Sequence, residues 1–289
     1  DLTVIHDGVE RSLLLDRLPK ELDAYLGRLD VVDLTAEREQ VLRGAPDERR
    51  RFLDRGLVGL QPSHLHVIAE YRRLVGQRNA LLRRLGPGAV GSRLAELDAW
   101  DERLAESASR IHIERRKYAL SLAARLGEAG RALFRDGEEL LVHYQPSPRR
   151  AGEDDPARFG PRFLEALEAG RDRDLGLGFT HSGPHRDDLV VELDGVDLRK
   201  FGSAGQQRAA LVVLKLAKLE LLKEARGEAP LFLMDDYDTD LDEVRARSLA
   251  EVLHAGGFQA IVATSKDEMI DRLGVAVHRV HMLDGEARV

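Results

Sequence analysis

The chain has no cysteine among its 289 residues, and this excludes disulfides, thiolate metal centres and a cysteine nucleophile. Aromatic residues are also scarce, at 5%, whereas 33% of residues are charged, which favours a helix-rich protein with long solvated surfaces. No apolar run approaches the roughly 20 residues that cross a bilayer. We therefore expect a soluble, cytoplasmic protein with no membrane partner.

The chain also lacks an excess of positive charge, since its formal net charge is −7. A nucleic-acid partner is therefore not indicated by the total charge, and any such binding would need a local basic patch. The length exceeds the usual size of one domain, so we expect two lobes.

The first half of the chain is predicted to be a small β region followed by a helical arm. Residues 1 to 35 alternate short apolar runs with turn residues, which is typical of strands and hairpins. Helical spacing of apolar residues extends from 44 to about 85 and, after a Gly-Pro-Gly turn, from 94 to 126. Two long helices joined by a tight turn predict an antiparallel α-hairpin, although Asp101 and Arg115 interrupt its apolar seam.

The second half returns to mixed α/β patterning after a polar connection at residues 145 to 160. Strands and helices then alternate at the spacing of βαβ units, which predicts a parallel central sheet. The predicted elements are a hairpin at 189–198, a helix at 205–226, a strand at 231–234, a helix at 241–255, a strand at 260–264, a short helix near 268–273 and a hairpin at 275–289.

The strongest local signal is an apolar strand at 231–234 that ends in two acids, Asp235 and Asp236. Ligands bind at the carboxyl edge of a parallel sheet, where both carboxylates would emerge. Asp235 is predicted to hold Mg²⁺ through water, and Asp236 to orient or deprotonate an attacking water. This is a Walker B pattern. A core strand that ends in a solvated acidic turn is the alternative.

A loop of small residues at 202–208 opens onto the next long helix upstream of that strand. Backbone N–H groups and the helix dipole favour an anion there, and Ser203, Gly205 and Gln206 fit the γ-phosphate of a nucleotide. An ordinary Ser-capped helix is the alternative. The polar string at 183–188 contains a lone histidine, His185, which is more often structural than a metal ligand.

Three strings, at 183–188, 202–208 and 235–236, resemble the hallmarks of the RecF family of ABC ATPases, and residues 44–54 and 71–82 are also similar to that family. The resemblance implies an α/β fold: an ABC-type ATPase head with a P-loop NTPase-like mixed sheet, and an inserted helical arm lobe. The implied head comprises residues 1–43 and 137–289, and the implied arm comprises residues 44–136.

The resemblance further implies that two heads form a homodimer around ATP and Mg²⁺, close on DNA, and hydrolyse ATP weakly in a DNA-dependent manner. The implied role is recombination and repair at gaps, assisting RecA loading together with RecO and RecR. Asp242 would lie in the D-loop, and Thr264 at the position of a switch residue. An ATP-switched clamp with little turnover, or another SMC-like or OLD-like ATPase, is the alternative.

A complete family member opens with a Walker A loop, Gly-x-x-x-x-Gly-Lys-Ser/Thr, whose backbone cradles the phosphates. No such string occurs in this sequence. The sequence leaves open whether that segment lies outside it, on another chain, or is lost. The arm carries an arginine-rich face, and we predict that Arg72, Arg73 and Arg78 contact DNA, with a merely solvated helix face as the alternative.

Overall fold

The computed structural model describes residues 2–6, 11–15, 18–19, 26–34, 40–89, 91–134, 137–149, 155–235, 237, 241–283 and 286–288. Its strands are β1 (Leu2–His6), β2 (Arg11–Leu15), β3 (Leu18–Pro19), β4 (Val31–Leu34), β5 (Leu140–Gln145), β6 (Asp188–Leu193), β7 (Val196–Asp197), β8 (Leu231–Met234), β9 (Ala260–Val262), β10 (His281–Leu283) and β11 (Glu286–Arg288). Its α-helices are α1 (Gln40–Arg43), α2 (Pro46–Leu60), α3 (His64–Leu85), α4 (Ser92–Leu133), α5 (Phe159–Ala169), α6 (Arg171–Leu177), α7 (Leu198–Phe201), α8 (Ala204–Arg226), α9 (Glu243–Ala255) and α10 (Asp267–Asp271).

A parallel sheet of order β4-β8-β9 forms the centre of the fold, as the sequence predicts. The apolar strand β8 lies in the middle, with Leu34 opposite Met234 on one side and Val262 opposite Met234 on the other. Helix α8 covers this sheet, because its residues from Ala209 to Leu222 join the main hydrophobic cluster with Phe232. The carboxyl ends of the three strands therefore meet at one edge.

The arm is the predicted α-hairpin. Helix α2 ends at Leu60 and α3 begins at His64, on either side of the predicted break at Pro62, because proline cannot donate a helical hydrogen bond. Gly86 turns the chain with a φ of 70°, and α4 then runs for 42 residues, longer than the sequence suggests. Within the described ranges, no helix combines the length and apolar character that crossing a lipid bilayer requires.

The structure adds elements between 137 and 187 that the sequence analysis does not predict. Strand β5 pairs antiparallel with β6, and β7 completes that second sheet. Helix α5 packs on the arm through Phe159 and Phe163, which share a buried cluster with Tyr71 and Leu104. Part of the region assigned to the head therefore contacts the arm, and the division into head and arm at residue 137 stays a prediction.

Buried ion pairs fill the polar interruptions of the arm. Arg78 donates to Asp101 over 2.6 Å and to Asp174 of α6 over 2.6 Å, and none of these three side chains has exposed surface. A guanidinium enclosed in this way cannot reach a DNA phosphate. The prediction that Arg78 contacts DNA is therefore wrong. The sequence places Arg78 on a basic helix face, but in the fold this residue pairs with two carboxylates inside the protein.

Candidate functional site

The end of β8 is fixed by its neighbours at the carboxyl edge of the sheet. The backbone N–H of Asp235 donates to the carbonyl of Leu34 over 3.2 Å, and that of Tyr237 donates to Ala263 over 3.1 Å. Asp235 is exposed, as a ligand-binding carboxylate at this edge must be. Asp236 lies outside the described residues, although both flanking residues are held by adjacent strands.

Two further side chains frame this edge. Tyr237 is buried, its hydroxyl donates to the carbonyl of Ala246 in α9, and burial raises the pKa of the phenol above its usual value, so it stays protonated. Thr264 follows β9 at the same edge, and its Oγ1 accepts the backbone N–H of Lys266 over 3.1 Å. Tyr237 thus ties the acidic strand end to α9, a role that its position next to the acids gave little reason to predict.

Ser203 and Gln206 form a reciprocal cap at the start of α8. The Ser203 hydroxyl accepts the Gln206 N–H over 3.2 Å, and the Gln206 side-chain oxygen accepts the Ser203 N–H over 2.9 Å. Such a capping box satisfies two of the N–H groups that a helix start leaves unpaired. Both the capping and the anion-binding interpretations therefore remain compatible with the loop, since the same hydroxyl and N–H groups serve either purpose.

Arg245 links this loop to the start of α9, and the sequence analysis missed it. Asp242 caps α9 by accepting the Arg245 N–H over 3.0 Å, and its second oxygen lies 3.0 Å from Nη1 of the same arginine. A Cβ placed on Gly205 would lie 3.7 Å from that Nη1. Nε of Arg245 donates to the carbonyl of Leu133 at the end of α4, over 3.0 Å. The sequence signal for this pairing was that Arg245 follows Asp242, the residue that caps α9, by three residues.

The Ser203 loop begins α8, whereas Asp235 directly follows β8, the strand that α8 covers. Arg226, at the far end of α8, donates to Asp30, just before β4, over 3.2 Å, so this end lies at the amino edge of the sheet. With 23 residues, α8 is about 34 Å long, whereas the four residues of β8 span about 13 Å. The start of α8, with Ser203, therefore lies on the carboxyl side of the sheet, and this helix is about 20 Å longer than the strand it covers.

The polar string at 183–188 holds the arm against the second sheet. Asp187 has no exposed surface and accepts hydrogen bonds from Arg115 of α4 over 2.9 Å, from the Ser147 N–H over 2.8 Å and from the Tyr144 hydroxyl. Burial raises the pKa of Asp187 to about 6, although the Arg115 charge opposes that rise. Asp188 forms a short ion pair with Arg49 of α2. This string joins the arm to β6.

His185 in the same string uses both of its ring nitrogens. Nε2 lies 2.9 Å from the carbonyl of Thr180, so it carries the proton, and Nδ1 accepts the Tyr71 hydroxyl over 2.7 Å. Burial lowers the pKa of His185 to about 4, which keeps the ring neutral. Gly183 has a φ of 126°, and a Cβ there would lie 2.5 Å from the Tyr71 oxygen, so only glycine fits.

Arg72 and Arg73 are both exposed on α3, as a DNA contact would require. The side chain of Arg72 is 70% exposed, and its Nη2 lies 4.0 Å from Asp54, a weak surface contact. Their predicted contact with DNA stays a prediction.

The middle strand of the parallel sheet ends in acids, and a Ser-Ala-Gly-Gln loop caps the helix that covers this sheet. Together with the α-hairpin, these features define an ABC-type ATPase head with a helical arm. No protein-family profile matches the chain. It is 34% identical over 273 residues to the DNA replication and repair protein RecF of Rippkaea orientalis, covering 91% of this chain and 68% of that protein. The chain belongs to the RecF family.

Further relatives and solved structures agree with this membership. RecF of Synechocystis is 38% identical over 253 residues, which cover 85% of this chain and 65% of the relative. A structure of the recombination mediator protein RecF with ATPrS matches with a TM-score of 0.78 and 26% identity, over 92% of this chain and 71% of that one. A RecF structure with ATP gives a TM-score of 0.76 and 27% identity, over 90% and 69%.

Proposed function

We propose that this chain is the greater part of an ATP-switched DNA-binding protein of recombination and repair. Two heads bind ATP and Mg²⁺ between them, close on DNA at gaps, and assist RecA loading with RecO and RecR. ATP hydrolysis, weak and dependent on DNA, releases the dimer. The matched RecF structures, which contain ATP or ATPrS and are described as part of the RecFOR pathway, support nucleotide binding and this setting.

The observation that carries the proposal is the position of the Ser203 loop. It is exposed at a helix N-terminus, where N–H donors and the dipole favour a phosphate, and its helix is about 20 Å longer than β8, the strand that ends in the acids. We take the loop to extend beyond the nucleotide site of its own head. The loop is therefore suited to the γ-phosphate of ATP held by a second copy.

The remaining site residues take roles by position. Asp235 holds the Mg²⁺ of the nucleotide through water, and Asp236 positions the attacking water, since both follow the central strand. Thr264 follows the neighbouring strand and faces the same edge. Asp242 pairs with Arg245, whose guanidinium lies near Gly205, and this proximity supports a common surface of Asp242 and the signature loop that meets the second head.

The outer edge of β9 supports the need for a Walker A segment. Ile261 is 57% exposed and Val262 is 37% exposed, although both belong to a strand of the central sheet. In the part of the chain that the structure describes, β9 is paired with β8 alone. An additional parallel strand would pair with the open edge of β9 and bring a phosphate-binding loop to the carboxyl edge, and the helix that follows such a loop would cover one face of the sheet.

Light scattering on a polypeptide that also carries the Walker A segment tests the proposal. ATP should convert monomers into dimers, and Ser203→Arg should abolish that conversion while nucleotide binding by the monomer stays within about twofold. Ser203→Thr, which keeps a capping hydroxyl, is the matched control and should still dimerise. Normal dimerisation of Ser203→Arg, or loss of nucleotide affinity by its monomer, would return Ser203 to the role of a helix cap.

A further inference from the structure

A cleft of about 560 Å³ lies where the arm meets the head, away from the acidic strand end. Its walls come from the residues before β4, from α2, from the beginning of α3 and from α8. The volume is within the range of sites that bind ligands or peptide side chains. An occupant of this cleft would touch both the arm and the head.

The floor of the cleft is apolar and partly open to solvent. Leu29 is 61% exposed and lines the cleft together with Val58 and Leu65, which are partly buried. Apolar side chains that line a concave surface, and not a flat one, favour an occupant that inserts apolar groups of its own.

The rim of the cleft is basic, in contrast to the chain as a whole, whose net charge is −7. Arg55 and Arg72 are exposed, each on a different helix, and they face the same opening. Arg51 and Lys218 also line the cleft, but Arg51 is already paired with Asp47 and Glu48 of its own helix.

The two carboxylates that line the cleft each pair with an arginine that does not line it. Asp54 accepts two hydrogen bonds from the buried Arg115, over 2.9 and 3.1 Å, and Asp30 accepts one from Arg226 over 3.2 Å. Because Arg115 and Arg226 do not line the cleft, the two acids do not offset the rim cations as isolated carboxylates would. An occupant of the opening can therefore meet the exposed guanidinium groups of Arg55 and Arg72.

We propose that this cleft docks an acidic segment of a partner protein, in which acidic residues alternate with large apolar ones. The acids meet Arg55 and Arg72 at the rim, and the apolar side chains cover Leu29 and Val58 on the floor. A DNA backbone satisfies the rim but leaves the floor open, because phosphates and sugars offer no large apolar side chain. The inference goes beyond the proposed function and does not depend on ATP.

Fluorescence anisotropy with a labelled peptide of alternating Asp or Glu and Leu or Phe residues tests the proposal. The chain should bind this peptide in the micromolar range at low salt. Arg55→Glu and Arg72→Glu should each weaken binding at least tenfold, and so should Leu29→Ser on the floor. Arg83→Glu is the matched control, because Arg83 is exposed on the same helix as Arg72 but does not line the cleft, and the affinity of this variant for the peptide should stay within twofold.

Two further experiments distinguish an acidic peptide from DNA as the occupant of the cleft. A peptide with the same acids but Ser in place of Leu and Phe should bind at least tenfold more weakly, and Leu29→Ser should leave the affinity for a short random duplex within twofold, because DNA does not use the apolar floor. Equal affinity for both peptides, or an equal loss of affinity in Arg83→Glu and Arg72→Glu, would show a general basic surface and overturn the proposal. Absence of peptide binding by the unaltered chain would overturn it as well. Circular dichroism checks that each variant is folded.

Discussion

Arg115→Met should destabilise the fold strongly, because Arg115 is the central cation between arm and head. Its guanidinium makes two hydrogen bonds to Asp54, one to Asp187 over 2.9 Å and one to the Pro184 carbonyl over 2.7 Å, and its side chain is 4% exposed. Methionine fills similar space but leaves both carboxylates without their cation. Removal of one partner from a buried pair costs about 3–5 kcal/mol, which is the loss we expect at pH 8.

The loss should depend on pH in a definite direction. Burial raises the folded-state pKa of Asp187 to about 6, from 3.8 in the unfolded chain, so this group favours folding below pH 3.8 and loses that contribution as pH rises through 6. Without Arg115 the folded pKa rises further, because the opposing cation is gone. At pH 5 Asp187 is therefore protonated and uncharged, and the penalty should shrink by about 1 kcal/mol or more.

Urea unfolding followed by circular dichroism at pH 8 and pH 5 measures both effects. Arg110→Met, on the exposed side of the same helix, is the control, since its surface pair with Glu106 should cost less than about 1 kcal/mol at either pH. Adding Asp187→Asn to Arg115→Met should restore about 1–2 kcal/mol at pH 8. An equal loss at both pH values, with no recovery in the double variant, would refute the reasoning.

Four further predictions concern other groups. In a polypeptide with the Walker A segment, Asp236→Asn should abolish ATP turnover while ATP-dependent dimerisation persists, and unchanged turnover would remove Asp236 from catalysis. Arg72→Glu and Arg73→Glu should each weaken duplex binding and reduce its salt slope by about 1 if they contact phosphates, as titrations at several salt concentrations would reveal. Arg78→Leu should lower the urea midpoint but leave the DNA affinity of the folded protein unchanged, because its guanidinium pairs with buried carboxylates and does not reach the surface. Burial lowers the pKa of His185 to about 4, from 6.5 when unfolded, so it favours folding above pH 6.5 and loses that contribution as pH falls; His185→Gln should flatten the decrease in stability between pH 6.5 and 4.5.

Much of the fold follows from patterns that are local in sequence. The apolar run before Asp235, the Ser203 cap and the proline break at Pro62 each determine structure through neighbouring residues, and each element lies where the sequence predicts it. Helix α5 was missed although Phe159 and Phe163 recur at helical spacing, because a turn of polar residues precedes it and only contact with the arm buries its apolar face.

The pairing of charges was not predictable in the same way. Arg78 and Asp174 are 96 residues apart, and Arg115 and Asp187 are 72 residues apart, so nothing in either neighbourhood reveals the partner. In sequence, Asp101 interrupts an apolar seam and Arg78 belongs to a basic face. Only the crossing of α3, α4 and α6 shows that these charges neutralise one another inside the arm.

The length of α4 gives the arm the properties of a mechanical lever. Its 42 residues extend for about 63 Å as one continuous helix, and its last residue, Leu133, accepts a hydrogen bond from Arg245, which also pairs with Asp242 at the start of α9. A rotation of only about 5° at that end carries the opposite end through about 5 Å, which exceeds the length of a hydrogen bond. In the dimer that we propose, an adjustment where two heads meet would thereby be amplified at the far end of α4 into a displacement large enough to make or release a contact.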